Sequence, residues 1–154
     1  MRIISLPLIF FTVWLLIISC VSAKKAQENK TDIEKLQGAW QLISGVVDGK
    51  ELSNEEVKNT QIIIKGNTFV FPNASGVGTS SKGTFTINPN ADPKQVDSTA
   101  TDGQNVGMVS LGIYEVEGDH QKTCFGSPGK PRPIEFNSKP GSGNILQVWK
   151  RVNH

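Results

Sequence analysis

Hydrophobic and polar positions divide the chain into two unlike parts. From Ile3 to Cys20 the residues are almost all apolar, preceded by Arg2 and followed by Val21, Ser22 and Ala23. Beyond Lys24 the apolar residues come in short alternating groups, separated by clusters of Gly, Pro, Asn, Asp and Ser. The first pattern predicts an export leader over 1–23, since a basic residue, an apolar run and a small-residue end form a signal-peptidase site. The alternative is an uncleaved anchor, because the run approaches the ~20 residues that span a bilayer. The second pattern, period two with turn residues between, predicts strands.

Residues 24–31 are polar and predict a flexible tether to a domain over 32–154. Thr31 or Asp32 caps a short helix through Leu36, and Gly38 stops it. The first strand is predicted over 39–47, with Trp40, Leu42 and Val46 inward. Asp48-Gly49 is a hairpin turn. Ser53 and Glu56 have the spacing of a capping box, which predicts one or two helical turns over 54–59. Further strands are predicted over 60–65, 68–71, 82–88, 95–101, 108–117, 120–125 and 145–152, with a short strand or extended piece at 134–137. The stretch 95–101 is weakly apolar and predicts an edge-like or solvated strand. Residues 72–80 and the Pro-containing stretch 127–133 predict loops. The sum is all-β: an antiparallel barrel or sandwich of about eight strands with a short N-terminal helix and one short helical insert. Short connections favour up-and-down order.

Composition narrows the function classes. Lys plus Arg is 16 and Asp plus Glu is 14, interspersed, with no basic stripe of the kind that neutralises nucleic-acid phosphates. The two cysteines are Cys20 and Cys124. Ile17-Ile18-Ser19-Cys20 resembles the lipobox of bacterial lipoproteins, in which the cysteine is lipidated and becomes the new N-terminus. That reading stands beside simple cleavage after Ala23. Either way Cys124 is single, so the fold is no disulfide scaffold and rests on its core.

Gly38-Ala39-Trp40 at the entry to the first strand, with Lys150 and Arg151 near the end of the last, resembles the lipocalin and wider calycin pattern. The resemblance implies a lipocalin-like barrel in which Trp40 plugs one end and a cation lies on its face. Arg151 is the expected partner, with Lys150 as the other candidate on the opposite strand face. The plain alternative is a core tryptophan and a solvated arginine. Leu36-Gln37-Gly38-Ala39-Trp40, Val47-Asp48-Gly49-Lys50, Gly83-Thr84-Phe85, Leu111-Gly112-Ile113-Tyr114-Glu115, Gly129-Lys130-Pro131-Arg132-Pro133 and Phe136 to Gly143 together resemble a family of exported small domains known mainly from planctomycete bacteria. That resemblance implies no activity.

Catalytic and metal chemistry find little support. His120 and Cys124 share a strand face, but four residues along a strand separate their Cα atoms by about 13 Å, too far for a nucleophile pair. A metal needs three or four ligands, and the only other histidine is His154. No G-x-S-x-G, H-E-x-x-H or Walker pattern occurs. The glycine-rich stretches Gly76 to Gly78 and Gly141-Ser142-Gly143 open no helix, so they read as turns and not as phosphate cradles. Glu55 and Glu56 fall on the helical insert, and Glu115 and Glu117 on a solvent face, so no carboxylate pair is set across a cleft. The sequons at Asn29 and Asn73 carry little meaning in a bacterium. The stiff loop bearing Lys130 and Arg132 is either a surface contact or a proline-braced connection.

The expected function is therefore non-enzymatic, with no cofactor and no nucleic-acid partner. It is an exported domain that binds a small apolar or amphipathic ligand or a cell-envelope component, touching membrane only through a lipid anchor or retained leader. Phe69, Phe71, Phe85 and Tyr114 are the inward aromatics, which either line a cavity or fill the barrel. The alternatives are an interaction module with a filled barrel acting through its loops, and a hydrolase with an unrecognised site.

Overall fold

The computed structural model describes residues 31–73 and 81–152. The leader, Cys20, residues 24–30, most of the 72–80 loop and His154 lie outside the described residues. Helix α1 (Asp32–Leu36) leads into β1 (Gly38–Val47). A hairpin at Asp48 and Gly49, both at positive φ, gives the two-residue β2 (Lys50–Glu51). Helix α2 (Asn54–Asn59) follows, then β3 (Gln61–Lys65), β4 (Thr68–Val70), β5 (Lys82–Asn88), β6 (Gln95–Ala100), β7 (Val109–Glu117), β8 (His120–Gly126) and β9 (Asn144–Arg151). The capping box of α2 is formed: the Ser53 amide donates to Glu56 Oε2 at 2.8 Å, and the Glu56 amide donates to Ser53 Oγ at 3.3 Å. Among the described residues no helix is long and apolar enough to cross a membrane.

Every ladder is antiparallel, in the order β1-β3-β4-β5-β6-β7-β8-β9, and β9 returns to pair with β1. The result is a closed eight-stranded up-and-down barrel with β2 as an extra strand. Closure leaves these eight strands without a free edge, which removes the template for pairing with other chains. The core is inside: Leu36, Trp40, Leu42, Ile64, Phe85 and Trp149 are all buried in one cluster.

Three expectations are corrected. Val46 does not point inward. Leu42 pairs with Trp149 but Ser44 pairs with Val148, so Ile43 is an extra residue in β1. A bulge of one residue reverses the alternation beyond it. Gly45, opposite Gln147, therefore takes the inward position, and Val46 faces outward opposite Leu146. Leu52 folds into the space that Gly45 leaves; a Cβ there would sit 2.6 Å from Leu52 Cδ1.

Strand β6 is no edge. It pairs along its length with β5 and along five positions with β7. Its weak apolar pattern has another cause: its inward positions, Val96, Ser98 and Ala100, line a cavity instead of packing a solid core.

Residues 134–137 form no strand. They run as a bent strap over the outer face of β8. Lys122 Nζ lies 4.5 Å from the centre of the Phe136 ring, and the Asn137 carbonyl accepts from Cys124 Sγ at 3.2 Å. The strap makes Cys124 fully buried although it points away from the barrel interior.

Candidate functional site: the barrel interior

One end of the barrel is sealed by groups that satisfy one another. Helix α1 ends with carbonyls that have no partner within the helix, the usual condition of a helix C-terminus. Arg151 supplies them: Nη1 donates to Gln37 O and Nη2 to Lys35 O, both at 2.6 Å. Trp40 Nε1 donates to Leu36 O at 2.9 Å. Trp40 and Arg151 are direct partners in the β1–β9 ladder, and the guanidinium lies 4.1 Å from the centre of the fully buried indole. Lys150, one residue earlier, is exposed. A cation on a desolvated ring is worth up to about 2 kcal/mol. Asp119 adds an ion pair to Arg151 Nε at 3.3 Å.

A second knot ties the same helix to the barrel. Asp32 Oδ2 accepts from Lys94 Nζ at 2.7 Å and from the Tyr114 hydroxyl at 2.9 Å, and Lys35 Nζ approaches Oδ1 at 3.4 Å. Burial alone would raise the Asp32 pKa, but the hydrogen bonds and charge of Lys94, with the bonds from Tyr114 and Lys35, outweigh it and hold the carboxyl low. Burial, the bond to Asp32 and its negative charge push the Tyr114 phenol far above its ordinary value.

Between this sealed end and the opposite loops lies a cavity of ≈ 200 Å³. Phe69, Phe71, Phe85 and Tyr114 all line it, so the expected aromatics are brought together, and they leave space. Phe69 and Phe71 meet edge-on with centroids 5.7 Å apart, and Phe71 lies 6.3 Å from Trp149. Two glycines seat the rings. Gly83 pairs with Phe69, and a Cβ there would lie 2.5 Å from the ring; Gly112 stands in the same relation to Phe125. At the end away from Trp40, Asn105, Met108 and Pro128 complete the wall.

The wall has two chemical sides. Strands β3 to β5 present Ile62, Ile64, Phe69 and Phe85, with Phe71 just beyond β4. Strands β6 to β9 present a mixed face, in which Ser98, Ser110, Gln121, Thr123 and Gln147 alternate with Val96, Ala100, Tyr114, Phe125, Ile145 and Trp149. Gln121 is 4% exposed and Gln147 6%. Sequence reasoning missed both glutamines. The signal was available: counting back by twos from Phe125 puts Thr123 and Gln121 inside, and from Trp149 puts Gln147 inside. Among the described residues, Tyr114 is the one titratable side chain lining this cavity.

The remaining candidates lie elsewhere. Arg132 Nη1 donates to Gly112 O at 2.6 Å and Val96 O at 3.1 Å, and Nη2 pairs with Asp97 at 2.7 Å. These contacts brace the loop against β6 and β7; Lys130 stays exposed. Burial pushes the Cys124 thiol pKa up, against the opposing bond to Asn137, and His120 on the same face is exposed. Among the described residues no group of three or more His, Cys, Asp or Glu could hold a metal ion. In comparisons with known proteins, no family model, no curated protein and no solved structure matches this chain.

Proposed function

We propose that this domain is an exported, non-enzymatic binding protein that holds one small amphipathic molecule inside its barrel. The observation that carries the reading is the ≈ 200 Å³ cavity, mostly apolar, with the hydroxyl and amide side chains of Ser98, Ser110, Gln121, Thr123 and Gln147 set among the apolar residues of β6 to β9. Packed interiors contain few voids larger than a water, and an apolar cavity of about 150 Å³ takes up benzene. A space of this size inside a closed barrel therefore fits a ligand well below ordinary drug size. The resemblance to lipocalin-type and planctomycete exported domains agrees with this reading, as does a leader ending at Ala23 or at a lipidated Cys20. Arg132 is already engaged with Val96, Gly112 and Asp97, which weakens the alternative of a contact loop built on Lys130 and Arg132.

The test is uptake of a neutral amphiphile, 1-octanol, followed by calorimetry and by native mass spectrometry. Saturable one-to-one binding is expected, and it should be lost when Ala100→Phe fills the cavity. No saturable uptake by the unaltered protein would overturn the proposal.

A further inference from the structure

The polar side of the cavity is incompletely satisfied, and that incompleteness has a direction. Gln147, Thr123 and Tyr114 are successive partners across β9, β8 and β7, so they stand in one inward row. Gln121 is the next inward residue on β8. Tyr114 spends its hydroxyl proton on Asp32. Thr123 Oγ1 donates to Gln147 Oε1 at 3.4 Å, which leaves the Gln147 amide N–H groups without a partner among the described residues. Gln121 makes no side-chain hydrogen bond among the described residues, although it is 4% exposed. Turning either amide over exchanges its ends but leaves one end over. Among the described residues Asp97 Oδ1 is the one fully buried side-chain polar atom without a hydrogen bond, so the amide atoms of Gln121 and Gln147 are open to the cavity and available to whatever occupies it.

We propose that Gln121 and Gln147 form the recognition site for an uncharged, carbonyl-bearing head group, of the amide or ester type, whose apolar body lies against Phe69, Phe71 and Phe85. This deepens the cavity reading and rests on it. A primary amide offers the carbonyl that the Gln147 N–H groups lack and the N–H that the Gln121 carbonyl lacks. Charge decides against the alternatives. Among the described residues, the cavity wall carries no Lys, Arg, His, Asp or Glu. A carboxylate or an ammonium would enter without a counter-charge, and burying an unpaired ion is far more costly than burying a paired amide. Size agrees: a cavity of ≈ 200 Å³ is on the scale of the ~150 Å³ cavity that takes up benzene, and suits a small amphiphile.

A matched set of eight-carbon probes tests this: octanamide, octanoate, octylammonium and 1-octanol, titrated at neutral pH by calorimetry. Octanamide is expected to bind at least tenfold more tightly than octanoate or octylammonium. The side-chain amide resonances of Gln121 and Gln147 should shift on its addition. The paired change Gln121→Leu with Gln147→Leu should weaken octanamide at least tenfold and leave 1-octanol within threefold. A second variant, Gln147→Glu, should bring octylammonium to the level of octanamide or above. Equal or tighter binding of octanoate by the unaltered protein would overturn the head-group assignment while leaving a binding cavity. So would an octanamide affinity unmoved by the paired change. Failure of all four probes to bind would overturn both readings together.

Discussion

Two neighbouring regions of the barrel interior handle buried polarity in opposite ways. At the sealed end Arg151, Asp32, Tyr114 and the Trp40 indole N–H all have partners within 3.3 Å, and their bonds tie α1 to β1, β7 and β9. A few residues away, Gln121 and Gln147 are as deeply buried but only one weak bond, from Thr123, reaches them. Satisfied buried groups hold a fold together; removing one partner strands the other and costs its full desolvation. Groups that face a cavity without a protein partner add nothing of this kind to the fold and stay available to whatever enters the cavity. The same wall thus contains a structural knot and, beside it, the amides to which we assign recognition, told apart by hydrogen-bond accounting and not by burial.

The largest break in this contrast comes from Arg151→Ala. It orphans two α1 carbonyls and uncovers the Trp40 ring, and denaturant unfolding should show a loss of about 3 kcal/mol. Arg151→Lys, lacking the planar fork, should recover less than half.

Asp32→Asn comes next, with an expected loss of about 2 kcal/mol at neutral pH, since Lys94 loses its buried counter-charge. The pH dependence gives a second reading. Because the folded state holds the Asp32 carboxyl below its ordinary value of 3.8, the unfolded chain binds the proton more readily. The contribution of Asp32 is complete above that value and is lost as pH falls below it. Acid titrations of stability should therefore be flatter below pH 4 in Asp32→Asn than in the unaltered chain.

Gln121→Leu should behave in the opposite sense. Replacing an unpartnered buried amide with an apolar group of similar size should change stability by less than about 1 kcal/mol, and toward greater stability. A loss of about 2 kcal/mol on the same measurement would mean that Gln121 is part of the framework, and the contrast between the two regions would collapse. Lys130→Ala, on the exposed part of its loop, should move the unfolding midpoint least, within about 0.5 kcal/mol.

Much of the frame was legible residue by residue. The turn at Asp48-Gly49, the Ser53–Glu56 capping box and the strand periods are local, and local geometry follows from neighbours in sequence. The apposition of Trp40 and Arg151 came from a resemblance and not from periodicity, because nothing in the spacing of residues 40 and 151 reveals that β1 and β9 meet. The misread stretches share one cause. The stretch 95–101 reads as an edge-like or solvated strand because its inward residues Val96, Ser98 and Ala100 are small and only weakly apolar as a set, and small inward residues are what leaves room for a cavity. The 134–137 strap has strand-like residues but packs by side chain over β8, and its pairing depends on no ladder.

The sequence by itself determined an all-β domain with its turns and two short helices, a single cysteine and a balanced charge, because those are set by composition and short-range pattern. Only the tertiary structure decided how the interior is arranged. The extra residue at Ile43 reverses the alternation of β1. The rings of Phe69, Phe71 and Phe85 stop short of filling the barrel. Arg132 is captured by the carbonyls of Val96 and Gly112. Gln121 and Gln147 meet, from strands adjacent in space, around a volume that no single segment encloses. Each of these depends on which distant strand lies opposite and on how much space remains once every side chain is placed, and a linear pattern carries neither quantity.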